Sequence, residues 1–246
     1  MSFPEPLELY DAQNIEHYIQ LVLGKRPEGS EIGWFFRGQA SFEWVLQAQI
    51  DRPSFKEHRV NKGWSRARHE ERLLHDFMRG ARAHVRLEPQ DHWEWLALAQ
   101  HFGLATRLLD WTANPLAALY FAVESRSINS DSAVWCYRHV GRGSAQYREQ
   151  SPFELQEIVE FRPAHLTPRI TVQGGCFTAQ PDPSLPCPPN EGDLRRIRIP
   201  AALRATFREE LGKLGIDRAS LFPDLDGIAY SVNCHLSDAH EQCLAA

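Results

Sequence analysis

The length and composition of the chain describe an ordinary folded protein. It has 246 residues, of which 43% are hydrophobic and 24% charged, so it can bury a substantial core and is neither disordered nor fibrous. We interpret residues 1–246 as a single domain. The formal net charge of -5 argues against a protein that is basic overall and binds nucleic acid nonspecifically. The chain has no apolar run of membrane-spanning length and no secretory signal in residues 1–6, so we expect a cytoplasmic protein that does not contact the membrane.

The five cysteines predict neither a disulfide framework nor a zinc ribbon. Their number is odd and no Cys-x-x-Cys occurs. Potential ligands do cluster near the end of the chain, at Cys234, His235, His240 and Cys243, but their spacing matches no common zinc module. We therefore expect reduced thiols and no bound metal.

Positive charge is concentrated in one segment. Residues 52–86 contain ten Lys or Arg side chains against four acidic ones. We interpret most of this charge as the solvated face of a helix, and a phosphate-rich partner is the alternative.

In chain order, the first predicted element is a short strand at Trp34–Phe36, which ends in a turn at residues 37–39 and so presents Arg37 at a strand end. Apolar residues at helical spacing predict an amphipathic helix over 66–85. Asp91, with an acid three residues later, predicts a helix start, and that helix continues to about His101 and ends before Gly103.

The second half of the chain mixes helices with strands. Asn114-Pro115 predicts the start of a buried helix over 116–123, and an apolar stripe predicts another helix over 203–214 that ends at Gly215. Three strands are predicted, at 133–137, 169–173 and 196–199, with a proline-rich loop over 179–190. The irregular order of these elements favours an α+β fold, with mixed, mainly antiparallel sheets packed by helices.

Two segments place polar residues within apolar surroundings, namely 36–39 and 100–112. Burial of Arg107 and Asp110 requires partners. Either the two residues pair with each other and pin a loop, or they belong to a ligand site. Arg37 beside Gly38 suits a phosphate, because guanidinium binds phosphate through two hydrogen bonds and glycine allows close backbone approach. His101 is either a core histidine or part of the same site.

The sequence resembles the FRG domain, a family named for its Phe-Arg-Gly motif. The resemblance begins at Phe36-Arg37-Gly38-Gln39 and continues through Glu71, Leu74 and Phe77 to the segment 100–112 and the apolar residues of 115–122. It extends to 173–178 and 215–227, so it covers roughly residues 30–230.

A second resemblance, to ADP-ribosyltransferases of the Arg-Ser-Glu type, concerns motif order. In that family an Arg-Gly strand binds NAD, a Ser-Thr-Ser strand precedes an Ala-x-x-Phe helix, and a late strand supplies a catalytic Glu. Arg37-Gly38 and Asp110-Trp111-Thr112, the latter followed by Ala118 and Phe121, are similar to the first two motifs. The third motif departs, because Gln173 stands near its position and residues 169–180 contain no Glu.

The second resemblance implies an ADP-ribosyltransferase or NAD glycohydrolase that uses NAD as its substrate. The acceptor would be DNA, RNA or protein, and the biological role that of a bacterial toxin or anti-phage effector. Cleavage of the nicotinamide–ribose bond passes through an oxocarbenium-like state, which a carboxylate stabilises. The expected catalytic residues are Asp110, His101 and Thr112. The expected NAD-binding residues are Arg37, Gly38, Gln39, Arg107, Trp111, Gln173 and Phe177, with Trp111 or Phe177 against nicotinamide.

Two other functions compete with this interpretation. One is a noncatalytic module that binds a nucleotide or phosphorylated ligand through Arg37, Arg107 and the basic helix. The other is a metal-dependent nuclease that uses Asp110, His101, Asp224 and Asp226, although a turn is the better interpretation of the segment that contains the last two.

Overall fold

The computed structural model describes residues 8–23, 34–56, 63–85, 87–126, 129–139, 148, 150–163, 172–185, 192–230 and 232–233. Seven strands form one sheet within this part of the chain. They are β1 (Glu8–Asp11), β2 (Phe35–Gln39), β3 (Leu108–Thr112), β4 (Ser132–His139), β5 (Val159–Phe161), β6 (Gly175–Ala179) and β7 (Gly192–Ile199). The helices are α1 (Ile15–Leu23), α2 (Pro53–Lys56), α3 (Arg66–Ala81), α4 (His92–His101), α5 (Pro115–Val123), α6 (Arg204–Lys213) and α7 (Arg218–Leu221).

The strand order is β1-β7-β4-β2-β3-β6-β5. Only the β1–β7 pair is parallel, and every other pair is antiparallel. The α+β class predicted from the irregular order of elements is therefore confirmed, as is the mainly antiparallel sheet.

One half of the sheet is covered by α1, α5 and α6. These helices pack against β2, β4 and β7 in a core that contains Phe36, Val134 and Ile197. Helix α5 is almost wholly apolar, and it begins as predicted, since the Asn114 side chain accepts hydrogen bonds from the amides of Leu116 and Ala117. The end of α6 also agrees with the prediction, because Gly215 has a positive φ of 76°.

The other half is covered by α3 and α4. Leu74 of α3 and several residues of α4 pack with Leu108, Phe161 and Phe177 in a separate core. The predicted cap of α4 is present, because the Asp91 side chain accepts a hydrogen bond from the Glu94 amide at 2.9 Å. Among the described residues of the structure, no helix is long and apolar enough to cross a membrane.

The two halves join at a narrow seam between β2 and β3. Phe36 and Thr112 are the one pair of residues in register between these strands, whereas β3 pairs with β6 at five positions. On the opposite face, a third core that includes Phe35, Leu109 and Trp111 continues across the seam. The sheet is thus continuous but opens on its helix-covered face between α5 and α4.

Two local predictions were wrong. Arg37 lies in the middle of β2, opposite Trp135 of β4, and not at a strand end. Gln173 lies in a turn before β6, so it is not part of a late strand, while residues 169–171 of that prediction lie outside the described residues. Both errors concern where a strand stops, which depends on its pairing partners and not on local composition.

Two of the cysteines lie in the cores of the sheet. Cys136 and Cys176 are free thiols and both are buried. Burial raises the pKa of the Cys136 thiol to about 12. The other cysteines, and the segment from Cys234 to Cys243, lie outside the described residues.

Gly38 is required for packing, which predicts a strong effect of its replacement. A Cβ atom at this position would stand 2.0 Å from the Ala118 carbonyl oxygen and 2.6 Å from the Ala122 amide nitrogen, so α5 rests directly on the strand. We expect Gly38→Ala to destabilise the protein by about 3 kcal/mol, because backbone atoms must move to admit the methyl group. Chemical denaturation measures the change.

Gly80→Ala is the matched control for this substitution. Gly80 lies within α3, and nothing stands within 4 Å of its added Cβ. Alanine there is expected to stabilise the protein by up to about 1 kcal/mol. Equal stability of the two variants would contradict the proposed contact between β2 and α5.

Candidate active site

A cleft of about 430 Å³ opens at the seam between the two halves of the sheet. All the predicted site residues except Arg107 line it: Arg37, Gly38, Gln39, His101, Asp110, Trp111, Thr112, Gln173 and Phe177. The volume is in the range of small-molecule sites. The cleft is therefore large enough for a nucleotide, and it collects polar residues from both halves.

Asp110 is the carboxylate most open to the cleft floor. Its side chain is 57% exposed although it belongs to β3, in the centre of the sheet. The Nη1 of Arg37 donates to the Asp110 carbonyl oxygen at 2.8 Å and approaches its Oδ2 at 3.4 Å. Arg37 thus bridges the seam where β2 and β3 no longer pair, and it holds a positive charge beside the carboxylate.

Gln100 orients the other oxygen of Asp110. Its Nε2 donates to Asp110 Oδ1 at 2.6 Å, and its Oε1 accepts from the hydroxyl of Thr106. The Thr106 oxygen in turn accepts from the Leu108 amide at 3.1 Å, so its own proton is directed to Gln100. This chain of hydrogen bonds fixes the Gln100 amide as a donor to Asp110.

Arg37 keeps part of its guanidinium unengaged. Its Nη1 contacts Asp110, whereas its Nε is buried and has no hydrogen-bond partner in the structure. The Arg37 side chain is 15% exposed and lines the cleft, so the part of its guanidinium that faces the cleft can bind phosphate or carboxylate.

Arg52 and Gln100 are site residues that the sequence analysis missed. Both line the cleft, together with Trp44, Gln49, Phe121 and Glu124. Desolvation at the cleft wall and the nearby charge of Arg37 lower the pKa of Arg52, and Asp110 opposes the shift. Arg52 was counted within the basic segment, and nothing in its local sequence distinguishes it from solvated neighbours such as Arg72, whose side chain is 56% exposed.

Thr112 and Gln173 form hydrogen bonds that connect neighbouring segments of the cleft wall. The Thr112 hydroxyl donates to the Gln173 carbonyl oxygen and accepts from the Asn114 amide at 2.9 Å. The Gln173 side chain donates to the Leu221 carbonyl oxygen at 3.0 Å. In this structure both side chains therefore position the turn at the start of α5 and the turn before β6.

The aromatic residues differ in what they offer a ligand. Trp111 is 3% exposed, and its Nε1 donates to Thr178 Oγ1 at 2.9 Å on the face opposite the cleft. Phe177 is in register with Asp110 and stacks on Phe161 at 6.4 Å between ring centroids. Trp44 is 52% exposed on the cleft wall. Trp44 therefore presents ring surface to a ligand, whereas Phe177, which is 5% exposed, and Trp111 are both buried.

Two polar residues near the cleft floor have different surroundings. The side chain of Gln39 donates to the Val45 carbonyl oxygen at 3.2 Å and accepts from Trp135 Nε1 at 2.8 Å, so both ends of its amide are occupied. His101 is half-buried at the end of α4, with its ring edge-on to Phe102. Of the two, the imidazole is the group whose exposed part reaches the cleft.

Arg107 does not reach the cleft, and the ion pair with Asp110, one of the two alternatives considered for it, does not form. Its guanidinium is 1% exposed and binds both oxygens of Glu70, at 2.7 and 3.0 Å. The ring of Phe153 lies 5.4 Å from its charge. The expected ligand role of Arg107 is therefore not supported, because its charge is already neutralised beneath α3. The α3 acid that pairs with Arg107 is the buried Glu70, whereas its neighbour Glu71 is exposed.

This ion pair predicts a large effect on stability. Glu70→Gln leaves the Arg107 charge buried without a counter-charge, and we expect a loss of about 3 kcal/mol of unfolding free energy. Urea denaturation of this variant and of Glu71→Gln provides the comparison, since the exposed residue should change stability by less than about 0.5 kcal/mol. Equal losses in the two variants would show that the pair contributes nothing.

The basic segment matches the solvated-face interpretation in α3. Arg68, Arg72 and Arg79 are exposed, and the last two contact Asp76. Arg66 is an exception, because it binds the buried carboxylate of Asp51 at 2.7 Å. The charge of α3 therefore serves solubility and local anchoring more than one continuous binding surface.

The four residues of the nuclease hypothesis do not all line the cleft. His101 and Asp110 line the cleft, but Asp224 and Asp226 are not among its lining residues. The Asp224 carboxylate accepts from the Gly227 amide at 2.8 Å at the start of the helical residues 225–230. Within the part of the chain that the structure describes, no group of three or more His, Cys, Asp or Glu residues is arranged to hold a metal ion.

Comparison with family sequence patterns adds one finding to this geometry. Residues 33–131 match the FRG domain. This chain contains an FRG domain. Neither the curated proteins nor the solved structures gave a match to the chain. The matched FRG segment runs from β2 to the residue before β4, and it carries Arg37, Arg52, Gln100, His101 and Asp110. The strands beyond Asp131 complete the sheet that supports these FRG residues.

Proposed function

We propose that this FRG-domain protein cleaves NAD at the seam cleft, as an ADP-ribosyltransferase or NAD glycohydrolase. The observation that carries the proposal is the pair Arg37 and Asp110: an exposed carboxylate lies beside an arginine, and both line the same cleft. This pair offers a phosphate-binding cation and a carboxylate within one ligand's reach.

The chemistry of NAD cleavage matches these two groups. The bond from nicotinamide to ribose breaks with positive charge developing on the ribose, and a fixed carboxylate stabilises that charge. Gln100 and Arg37 hold Asp110 in one orientation, so no side-chain reorganisation is needed as the charge develops. Nicotinamide leaves as a neutral base with the electron pair of the broken bond, and the ribose carbon then accepts either water or a nucleophile of the acceptor, which loses its proton to solvent.

The walls of the cleft supply the remaining parts. Trp44, which is 52% exposed on the cleft wall, is placed to pack on a flat ring such as nicotinamide or adenine. Glu124 lines the opposite side of the cleft, where it forms an ion pair with Arg218 at 3.5 Å. DNA, RNA and protein remain the acceptor classes to be compared, and a toxin or anti-phage role is part of the same proposal.

The test is incubation of the purified protein with NAD, alone and with DNA, RNA or cell extract. We expect release of nicotinamide, measured by chromatography, and transfer of label from adenine-labelled NAD to one acceptor class. Release in water alone would identify a glycohydrolase. Binding of NAD without release under any condition would instead identify the noncatalytic nucleotide-binding module, and absence of binding would overturn both functions.

A further inference from the structure

We propose that Arg52 is a second phosphate-binding residue, and that with Arg37 it selects ligands that carry a diphosphate over those with one phosphate. The inference rests on the proposed function of the cleft and specifies the chemical class of its ligand. Arg37 and Arg52 both line the cleft, and one comes from β2 while the other follows a 3-10 helix at Gln49–Asp51.

The turn that carries Arg52 is anchored beside the Asp110 network. The Ile50 amide donates to the Thr106 carbonyl oxygen at 3.2 Å, and Ile50 packs with Ala48 and Ala105 in a small core. Thr106 is the residue that orients Gln100 toward Asp110. The backbone that carries Arg52 is therefore fixed to the loop that leads into β3, the strand of the proposed catalytic carboxylate.

The neighbouring acid does not neutralise Arg52. Asp51 is buried, and its carboxylate binds Arg66 at 2.7 Å and Gln47 Nε2 at 3.0 Å. The described contacts of Arg52 are two long hydrogen bonds, each 3.4 Å, to the Gln47 carbonyl oxygen. No carboxylate of the described residues lies within ion-pair distance of Arg52, so its charge is available in the cleft.

Two guanidinium groups in the cleft suit a ligand that has two phosphates. Arg37 and Arg52 bring positive charge to the lining, while Asp110 approaches Arg37 and Glu124 is paired with Arg218. A diphosphate bridge carries two negative charges on adjacent phosphates, so each guanidinium can bind one of them. Because Arg37 contacts Asp110, the phosphate next to the reacting ribose would bind Arg37, and the distal phosphate would bind Arg52.

The experiment measures affinity with two inert ligands, ADP-ribose and ribose 5-phosphate. ADP-ribose contains both phosphates, whereas ribose 5-phosphate retains only the phosphate next to the ribose. We expect Arg52→Ala to weaken binding of ADP-ribose by about tenfold or more, as is typical of a lost charge-assisted hydrogen bond. Binding of ribose 5-phosphate should change by less than about threefold. NMR titration can measure both the binding of ADP-ribose and the weaker binding expected for ribose 5-phosphate.

Arg79→Ala is the matched control, because Arg79 is an exposed arginine of α3 whose side chain is 78% accessible and far from any cleft contact. It should bind both ligands as the wild type does. Arg52→Lys should recover part of the ADP-ribose affinity, since it restores the charge without the guanidinium geometry.

The outcomes separate this inference from the proposed function. If wild type binds ADP-ribose and Arg52→Ala binds it equally well, Arg52 is not a phosphate ligand, while NAD cleavage at the cleft stands. An equal loss for both ligands in Arg52→Ala would also overturn the assignment, because it would place Arg52 at the first phosphate or in the fold. Absence of ADP-ribose and NAD binding by the wild type would overturn both proposals.

Discussion

Asp110→Asn is expected to slow nicotinamide release by about 10²- to 10³-fold while NAD still binds. The substitution keeps the size of the side chain and allows a hydrogen bond with Gln100, but it removes the negative charge beside the developing oxocarbenium ion. The effect should therefore fall on the chemical step, so kcat decreases and KM changes little. Initial rates over a range of NAD concentrations measure both quantities.

Asp226→Asn is the control for this variant. Asp226 is exposed and does not line the cleft, and it is one of the acids of the nuclease hypothesis. We expect this variant to release nicotinamide at the wild-type rate. A wild-type rate in Asp110→Asn would instead remove Asp110 from the catalytic role and leave the proposed mechanism without its carboxylate.

Arg37→Ala is expected to weaken NAD binding by about 10- to 100-fold and also to lower the stability of the protein. The binding loss follows from the lost guanidinium edge, since hydrogen bonds to charged groups contribute about 1.5–3 kcal/mol. The stability loss follows from the position of Arg37 within β2, where its Nη1 donates to the Asp110 carbonyl oxygen across the seam. Calorimetric titration with NAD and thermal denaturation measure the two effects separately.

Arg37→Lys distinguishes charge from geometry at this position. Lysine keeps the positive charge but cannot form two parallel hydrogen bonds to one phosphate, so we expect affinity between those of the wild type and Arg37→Ala. A variant at Arg37 that melts at a lower temperature but binds NAD normally would show that the residue only holds the seam together.

Much of the fold was predictable because its signals are local. The start of α4 at Asp91, the start of α5 at Asn114 and the end of α6 before Gly215 each depend on a few neighbouring residues. The apolar composition of α5 likewise predicts its burial. Such features are set by the backbone groups at helix ends, which find their partners within the same segment.

The errors concern partners that are distant in the sequence. Arg107 pairs with Glu70, 37 residues away, and not with Asp110 three positions on. The direction of a side chain from a strand depends on register, and register is set by pairing across the sheet. For the same reason Arg52 was indistinguishable from the solvated arginines of α3, since its place in the cleft depends on the contact of Ile50 with Thr106.

The residues that carry the FRG resemblance lie together in the structure, but the role expected of one of them was wrong. Arg37, Gly38, Gln100 and Asp110 do meet in one cleft. Gly38 was expected to allow close approach of a ligand, and it allows close approach of α5. A glycine signals that something comes near the backbone, but the sequence does not say what.

The single register pair between β2 and β3 also bears on how the molecule responds to its ligand. Backbone pairing between β2 and β3 is limited to Phe36 and Thr112, so we expect partial opening of the sheet to begin between its two halves. A ligand that contacts Arg37 from one half of the sheet and Phe177 from the other would connect the two halves. Its binding energy would then add to the stability of the whole sheet, because opening the seam would require the ligand to leave. The limited pairing between β2 and β3 would thus couple occupancy of the cleft to the free energy of opening the seam.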